Sequence, residues 1–275
     1  MYFILPLLIY MAAVFLLPLL FVLFTSVVSE TSGQLTLEFF ERFFTHGLYL
    51  RVLKTTLEIS LIGTALTLLI AYPIAYYLAK QTPKRRSYLT LLILLPFYTS
   101  ILVKAFAFMV VLGYNGVVND AIRLVLGEDF VLPLLFNRFG VMIGVVHDMV
   151  PFMVFPIVIN LLAQNSSIHK AAEIMGATRT RIFWSIIFPL SLPAVAAGSL
   201  LVIIRLMGQF VTPALLGGRT DIMMSNLISF HIKDALDWNM AAAVSIVLLL
   251  LSCLILLALT RVRGAQLFGE QPRHG

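Results

Sequence analysis

Gln164–Pro193, QNSSIHKAAEIMGATRTRIFWSIIFPLSLP, is a polar and basic island between two long apolar runs, and its reading decides what the rest of the chain can be. Ser166 or Ser167 is placed to cap a short helix that Gly176 would end, and Thr178 to cap a second helix running from Arg179 toward Pro189. The stretch is therefore expected to form a helix, a sharp turn and another helix. It is too polar to enter lipid, yet the flanking runs hold it at a membrane face, which makes it a candidate docking surface. The competing reading is an ordinary interfacial loop between two spans.

Outward from this island the composition is that of a membrane protein. Hydrophobic residues make up 60% of the 275, charged residues 12%, and the mean hydropathy is +1.00. The formal charge of +6 does not point to nucleic acid, because the basic residues sit in short loops between apolar runs, where they orient a membrane protein. Cys253 is the single cysteine, so a disulfide framework or cysteine metal site within the chain is excluded. The five histidines (His46, His147, His169, His231, His274) share no ligand spacing, and no metal site or cofactor is expected. The apolar N-terminus has no basic leader segment and exceeds a signal-peptide core, so it reads as a retained span with a few residues expected before it.

Six stretches have the roughly 20 apolar residues a crossing requires: 3–28, 55–79, 88–113, 139–163, 185–210 and 239–260. An even number puts both termini on one side. The loops 80–86 and 164–184 and the tail then share a face that carries Lys80, Lys84, Arg85, Arg86, Lys170, Arg179, Arg181, Arg261, Arg263 and Arg273 against only Glu173 and Glu270. The other face mixes Arg42, Arg51, Lys54, Arg123, Arg138, Arg219 and Lys233 with acids such as Glu30, Glu38, Asp120, Glu128 and Asp237. The positive-inside rule makes the first face cytoplasmic, with both termini and the island on it. Leu35–Phe44 has amphipathic helical spacing and is expected to lie flat on the outer surface, and a second amphipathic run is expected from Val117 to Leu126. No repeat or soluble domain is visible, so residues 1–275 form one all-α membrane domain.

The island's spacing of Ala171, Ala172, Gly176, Ile186 and Pro189 resembles the EAA loop of binding-protein-dependent ABC importer permeases. Lys170 stands where that family usually has glutamate and Phe188 where leucine is usual, with Glu173 supplying an acid one turn along. The resemblance continues through Thr55–Ala79 with Tyr72, Pro73 and Ala75, through Leu94–Phe108 with Gly116 and Asn119, and through Leu206, Gly208, Phe210, Thr212, Pro213, Leu215–Gly218 and Asp237–Trp238. These later stretches are similar to the spermidine/putrescine-type subgroup. The resemblance implies a type I inner-membrane permease of a bacterium whose cytoplasmic loop (Lys170, Ala171, Ala172, Glu173, Gly176, Ile186, Pro189) seats in a separate ATPase. It also implies a second permease subunit, a periplasmic solute-binding protein and alternating access.

Charges inside the spans are the candidates for a pathway. Lys104, Asp148 and Arg205 lie in segments otherwise without charge and should face protein or water, either pairing to fix helix order or touching solute. Glu58 lies about a turn from Lys54 and could sit at the outer interface. Arg205–Gly218, RLMGQFVTPALLGG, cannot be one helix, because Pro213 follows Thr212 and Gly208, Gly217 and Gly218 loosen both ends; it is either a gate or an outer turn. No glycine loop ending in Gly-Lys-Ser/Thr and no catalytic constellation is present, so the chain is not expected to be an enzyme, and ATP hydrolysis must come from another subunit. The alternative is a proton-coupled secondary transporter using Asp148 and Glu58, which would need broken helices in both halves, and the sequence suggests one break only, in the second half.

Overall fold

The computed structural model describes residues 5–29 and 33–268, and within them regular structure is helical apart from one isolated bridge between Val28 and Leu35. The tail charges Glu270 and Arg273 lie outside the described residues. Six helical stretches are long and apolar enough to cross a membrane: Ile9–Val27, Gly47–Ala79, Ile101–Leu126, Arg138–Ala163, Arg179–Met207 and Trp238–Ala258. The first belongs to α1 (Leu5–Val27), which lies at the edge of the bundle against α13 (Trp238–Phe268). Asn239 Nδ2 donates to the Thr25 carbonyl at 2.9 Å and ties this outer pair together.

The centre is formed by α3 (Gly47–Ala79), α7 (Arg138–Ala163) and α10 (Phe188–Met207). Small residues set their separation: a Cβ at Gly63 would stand 3.0 Å from Leu206, and one at Gly198 would stand 2.8 Å from the Met153 sulfur. Close backbone approach of this kind is how helices associate where lipid offers no hydrophobic driving force. Ile59, Val145, Met153, Ile157, Val202 and Leu206 fill the seam without exposure. Tyr72 and Ser191 hydroxyls hydrogen-bond at 2.9 Å between α3 and α10. α3 is eight residues longer than the apolar run that predicts it, because two turns bearing Arg51 and Lys54 precede the span and are held by Tyr49 and Val52, buried beside Phe43 and Leu227.

The third crossing differs from the uninterrupted 88–113 helix expected. α4 (Pro83–Leu94) passes into a 3-10 turn (Leu95–Tyr98), Thr99 leaves the helix, and α5 (Ile101–Leu112) resumes it. Phe97 meets Phe152, Lys104 meets Asp148 and Phe108 meets His147, so the chain from Pro83 to Leu112 runs antiparallel to α7. The crossing therefore lies in this stretch, although Ile101–Leu126 is the apolar run by composition; Gly113–Gly116 turn the chain away before α6 (Val117–Leu126). Pro96 is the physical cause of the interruption, since it lacks an amide donor and crowds the preceding turn. Broken helix thus occurs in both halves of the chain.

Two further elements depart from expectation. α2 (Glu38–Thr45) starts three residues later than the amphipathic run at Leu35, and its Phe43 is wholly buried against Tyr49, so the helix is anchored into the bundle by one face. The second interruption falls at Gly208–Phe210, ahead of Pro213, which sits inside the first turn of the short α11 (Val211–Leu216), where a missing amide costs nothing. The break lies where the Pro213 ring would meet the Gln209 carbonyl in a continuous helix, and Gly208 closes α10 just before it. α12 (Met224–Lys233) then packs on α3, with the Met224 amide donating to Thr56 Oγ1 at 2.9 Å.

Candidate functional site

The polar island folds as a helix–turn–helix. α8 (Ser166–Ile174) is capped by Asn165, whose Oδ1 accepts from the Ser167 amide at 3.0 Å, so the cap lies one residue before the serines expected to provide it. At the other end the Gly176 amide donates to the Glu173 carbonyl and the Ala177 amide to the Ala172 carbonyl, both at 3.0 Å. This is the Schellman arrangement, and Gly176 takes the left-handed φ of +82° it requires. Nothing lies within 4 Å of where a Gly176 Cβ would stand, so glycine is needed there for its backbone and not for space.

Thr178 caps α9 (Arg179–Ile182) as expected, accepting from the Arg181 amide at 3.4 Å. The second helix does not stop near Pro189. It widens to a π turn at Phe183–Ile187 and continues as α10, giving one helical run from Arg179 to Met207. Pro189 cannot donate to the carbonyl four residues back, and a widened turn before it accommodates the ring. Gln164 Nε2 donates to the Ile187 carbonyl at 3.3 Å and closes the base of the hairpin. Lys170, Ala171 and Glu173 are exposed on α8 and Ala172 is half-buried. Together with Ser167, Ile168, Met175, Arg181 and Ile186, the two alanines and Gly176 line an open groove of about 680 Å³. Ile174 and Met175 are 87% and 85% exposed at its tip.

Far along the same helical run, a second constellation forms where the two interruptions meet. Phe97, Thr99, Ile101 and Lys104 come from the first, Arg205 and Gln209 from the second, and Asp148, Met149 and Phe152 from α7 between them. They enclose a cavity of about 190 Å³. The three interior charges singled out in the sequence are thus brought together. Lys104 Nζ donates to Asp148 Oδ1 in a tight, mostly buried pair, with His147 Nδ1 3.8 Å from the same oxygen. Arg205 has its guanidinium 4.0 Å over the centre of the Phe152 ring. Gly208 adjoins this cavity, whereas Pro213, Gly217 and Gly218 lie beyond it, toward the opposite end from the hairpin.

At that end the structure reveals a network that spacing alone did not single out. Arg138 Nη1 donates to Glu58 Oε2 at 3.0 Å and Arg138 Nε to Asp221 Oδ1 at 2.7 Å. Asp221 Oδ2 accepts from the Gly218 amide at 3.1 Å. One arginine therefore fastens α3, α7 and the 217–221 turn. Glu58 is engaged across helices as well as with Lys54, which lies 3.8 Å away. The glycines are closely packed: a Cβ on Gly217 would lie 2.5 Å from the Pro213 carbonyl and one on Gly218 2.5 Å from that of Phe136. The signal available in the sequence was a lone arginine at the start of an apolar run, opposite acids in two other segments.

Residues 71–263 match the family described as the binding-protein-dependent transport system inner membrane component. Among relatives, the spermidine/putrescine transport system permease protein PotB of Escherichia coli (strain K12) is 33% identical over 214 residues, 78% of each chain. PotB of Haemophilus influenzae is 32% identical over 246 residues, covering 88% of this chain and 86% of the relative. The fold is also that of a chain in a bacterial alginate ABC transporter solved in complex with an alginate pentasaccharide-bound periplasmic protein, with a TM-score of 0.80, 18% identity and coverage of 94% of this chain and 91% of that one. The six spans, the hairpin and these relationships lead to one conclusion: this chain belongs to the binding-protein-dependent inner-membrane permease family, the multi-pass membrane subunit of an importer whose ATP hydrolysis resides in a separate subunit.

Proposed function

We propose that the 164–184 hairpin is the coupling element seated on the cytoplasmic ATPase, and that the cavity around Lys104, Asp148 and Arg205 lies on the solute passage completed by a second permease subunit. The observation that carries this is the uninterrupted helical run from Arg179 to Met207, with the hairpin's exposed tip at one end and Arg205 at the other. A continuous helical run of this kind links displacement at the groove to the cavity wall, with the π turn at Phe183–Ile187 as its point of bending. Small side chains at Ala171 and Ala172 let a partner surface approach closely, and Ile174 and Met175 supply the apolar anchor. A periplasmic binding protein would deliver solute to the opposite face, where α2, α6 and α12 sit, and ATP-driven closure would switch the access. Both termini are then cytoplasmic.

The permeases PotB, at 32–33% identity, carry spermidine/putrescine in their names, which makes a polyamine the first solute to test. The proton-coupled alternative gains an interrupted helix in each half, but its two carboxylates are both taken: Asp148 by Lys104 and Glu58 by Arg138. The decisive experiment is co-purification. A tagged chain purified from the membrane of its own cell should bring down an ATPase, and Ala172→Asp should release it while the permease stays inserted. Full retention of the ATPase by a well-inserted Ala172→Asp protein would remove the hairpin from the coupling role.

A further inference from the structure

The wall of the central cavity carries three formal charges, and two of them cancel. Lys104 and Asp148 form a closed pair with 15% and 9% of their side chains exposed. Arg205 has no carboxylate within ion-pair distance among the described residues; its contact is the face of Phe152. The cavity therefore presents a net positive charge beside the neutral hydrogen-bonding groups of Thr99 and Gln209 and the ring of Phe97. Arg205 is exposed at the rim of the cavity, and a guanidinium within a span is retained where it faces water, protein or an anion. Held over a ring, it keeps its N–H edge free, and that planar edge matches a carboxylate with two parallel hydrogen bonds. A bare diamine meets the wrong sign here, because the acid it would seek is already occupied by Lys104.

We propose that this cavity receives a carboxylate of the transported solute on Arg205, so that the solute is a small organic acid or amino-carboxylate and not a simple polyamine. The proposal rests on the reading that the cavity lies on the passage, and it fixes a substrate class for that site. Phe97 and Phe152 would hold the carbon skeleton, and Thr99 and Gln209 the remaining polar groups.

The sign of the cavity is directly measurable. In the assembled transporter, with Cys253→Ser removing the native thiol and Thr99→Cys placing one on the cavity wall, the thiol is labelled with an anionic sulfonatoethyl or a cationic trimethylammonioethyl methanethiosulfonate. Each rate is divided by that reagent's rate with free 2-mercaptoethanol. The expected result is an anionic preference of roughly tenfold, as one nearby uncompensated charge in a confined site should give, collapsing toward unity in Arg205→Gln. Succinate and 4-aminobutyrate should slow the labelling, and putrescine at equal ionic strength should not. A ratio at or below unity with Arg205 present, or protection by putrescine alone, would overturn the proposal and mean that a partner subunit supplies the missing acid. An anionic preference without protection by either carboxylate overturns it as well, leaving a field but no site. Absence of labelling by both reagents from both sides, in a complex that retains its ATPase, would instead remove the cavity from the passage.

Discussion

Arg138 and Asp221, 83 residues apart, meet through a 2.7 Å bond from Nε to Oδ1, and the Asp221 side chain is only 3% exposed. The pair joins the first residue of α7 to the turn that follows α11. Glu58 shares the same guanidinium but is 40% exposed, so solvent screens it. The two halves of the network should differ in weight accordingly. Arg138→Gln leaves the buried Asp221 carboxylate with only the Gly218 amide and, with the arginine itself 35% exposed, should cost about 1–3 kcal/mol, whereas Glu58→Gln should cost at most about 1 kcal/mol. Thermal unfolding of the purified protein reads the difference, and an Arg138→Gln variant melting with the parent would show that the turn is held by other contacts.

The glycines of the Arg205–Gly218 stretch divide into two kinds. Alanine at Gly217 or Gly218 drives a methyl to 2.5 Å from a backbone carbonyl, of Pro213, which accepts from the Gly217 amide at 3.1 Å, or of Phe136, just before α7. At Gly208 the nearest atom would be 3.9 Å away and φ is −87°, so alanine fits. Gly217→Ala and Gly218→Ala should lower the melting temperature and uptake together. Gly208→Ala should leave the protein folded and, if the opening between α10 and α11 must flex, reduce uptake alone. Unchanged uptake in Gly208→Ala would make Gly208–Phe210 a static bend.

Much of this arrangement could be read from the residues. Crossing number, hairpin and interior charges follow from hydropathy and from the rarity of Lys104, Asp148 and Arg205 in apolar surroundings. What escaped was long-range or depended on geometry. Pro96 interrupts the third span, but it sits in so continuous an apolar run that periodicity passes over it. The Arg138 network joins positions 58, 138 and 221, whose partnership exists only after α3 and α7 pack. The fifth span breaks at Gly208–Phe210, where a continuous helix would press the Pro213 ring on the Gln209 carbonyl, and the residue at which α11 restarts is set by tertiary contact, with Thr212 and Leu216 against Gly144.

His231 on α12 offers a pH test. Its ring stacks on Tyr49 with centroids 5.8 Å apart, Nε2 lies 3.3 Å from the Tyr49 hydroxyl, and the buried Nδ1 has no hydrogen-bond partner. Burial pushes the imidazole below the usual histidine value, Asp237 opposing and Arg42 adding to the effect. The neutral form is thus favoured when folded. The stability it secures is present above the unfolded value of about 6.5 and declines as pH falls through that value toward the depressed one. Between pH 7 and 5 the parent should lose more thermal stability than His231→Gln. Parallel pH profiles would show that the ring protonates at no cost.

The hairpin gives the sharpest contrast between strain and contact. Gly176 holds a φ of +82° in open space, so a side chain there meets no atom of this chain and its cost is conformational, about 1–2 kcal/mol. Asparagine tolerates this region far better than valine. If the turn only needs a left-handed residue, Gly176→Asn should bind the ATPase almost normally and Gly176→Val should weaken both the turn and the docking. If the partner surface also packs against the bare Cα, both variants should lose solute-stimulated hydrolysis alike. Ala172→Asp acts differently, since it leaves φ untouched and places charge in the groove beside Met175 and Ile186. It should abolish coupling at a helix cost of about 1 kcal/mol, from the lower propensity of Asp and its place near the C-terminal end of α8. Comparing solute-stimulated ATP hydrolysis, uptake and pull-down for the three variants separates the cases, and normal coupling in all three would mean that the ATPase engages the permease through some surface other than this hairpin.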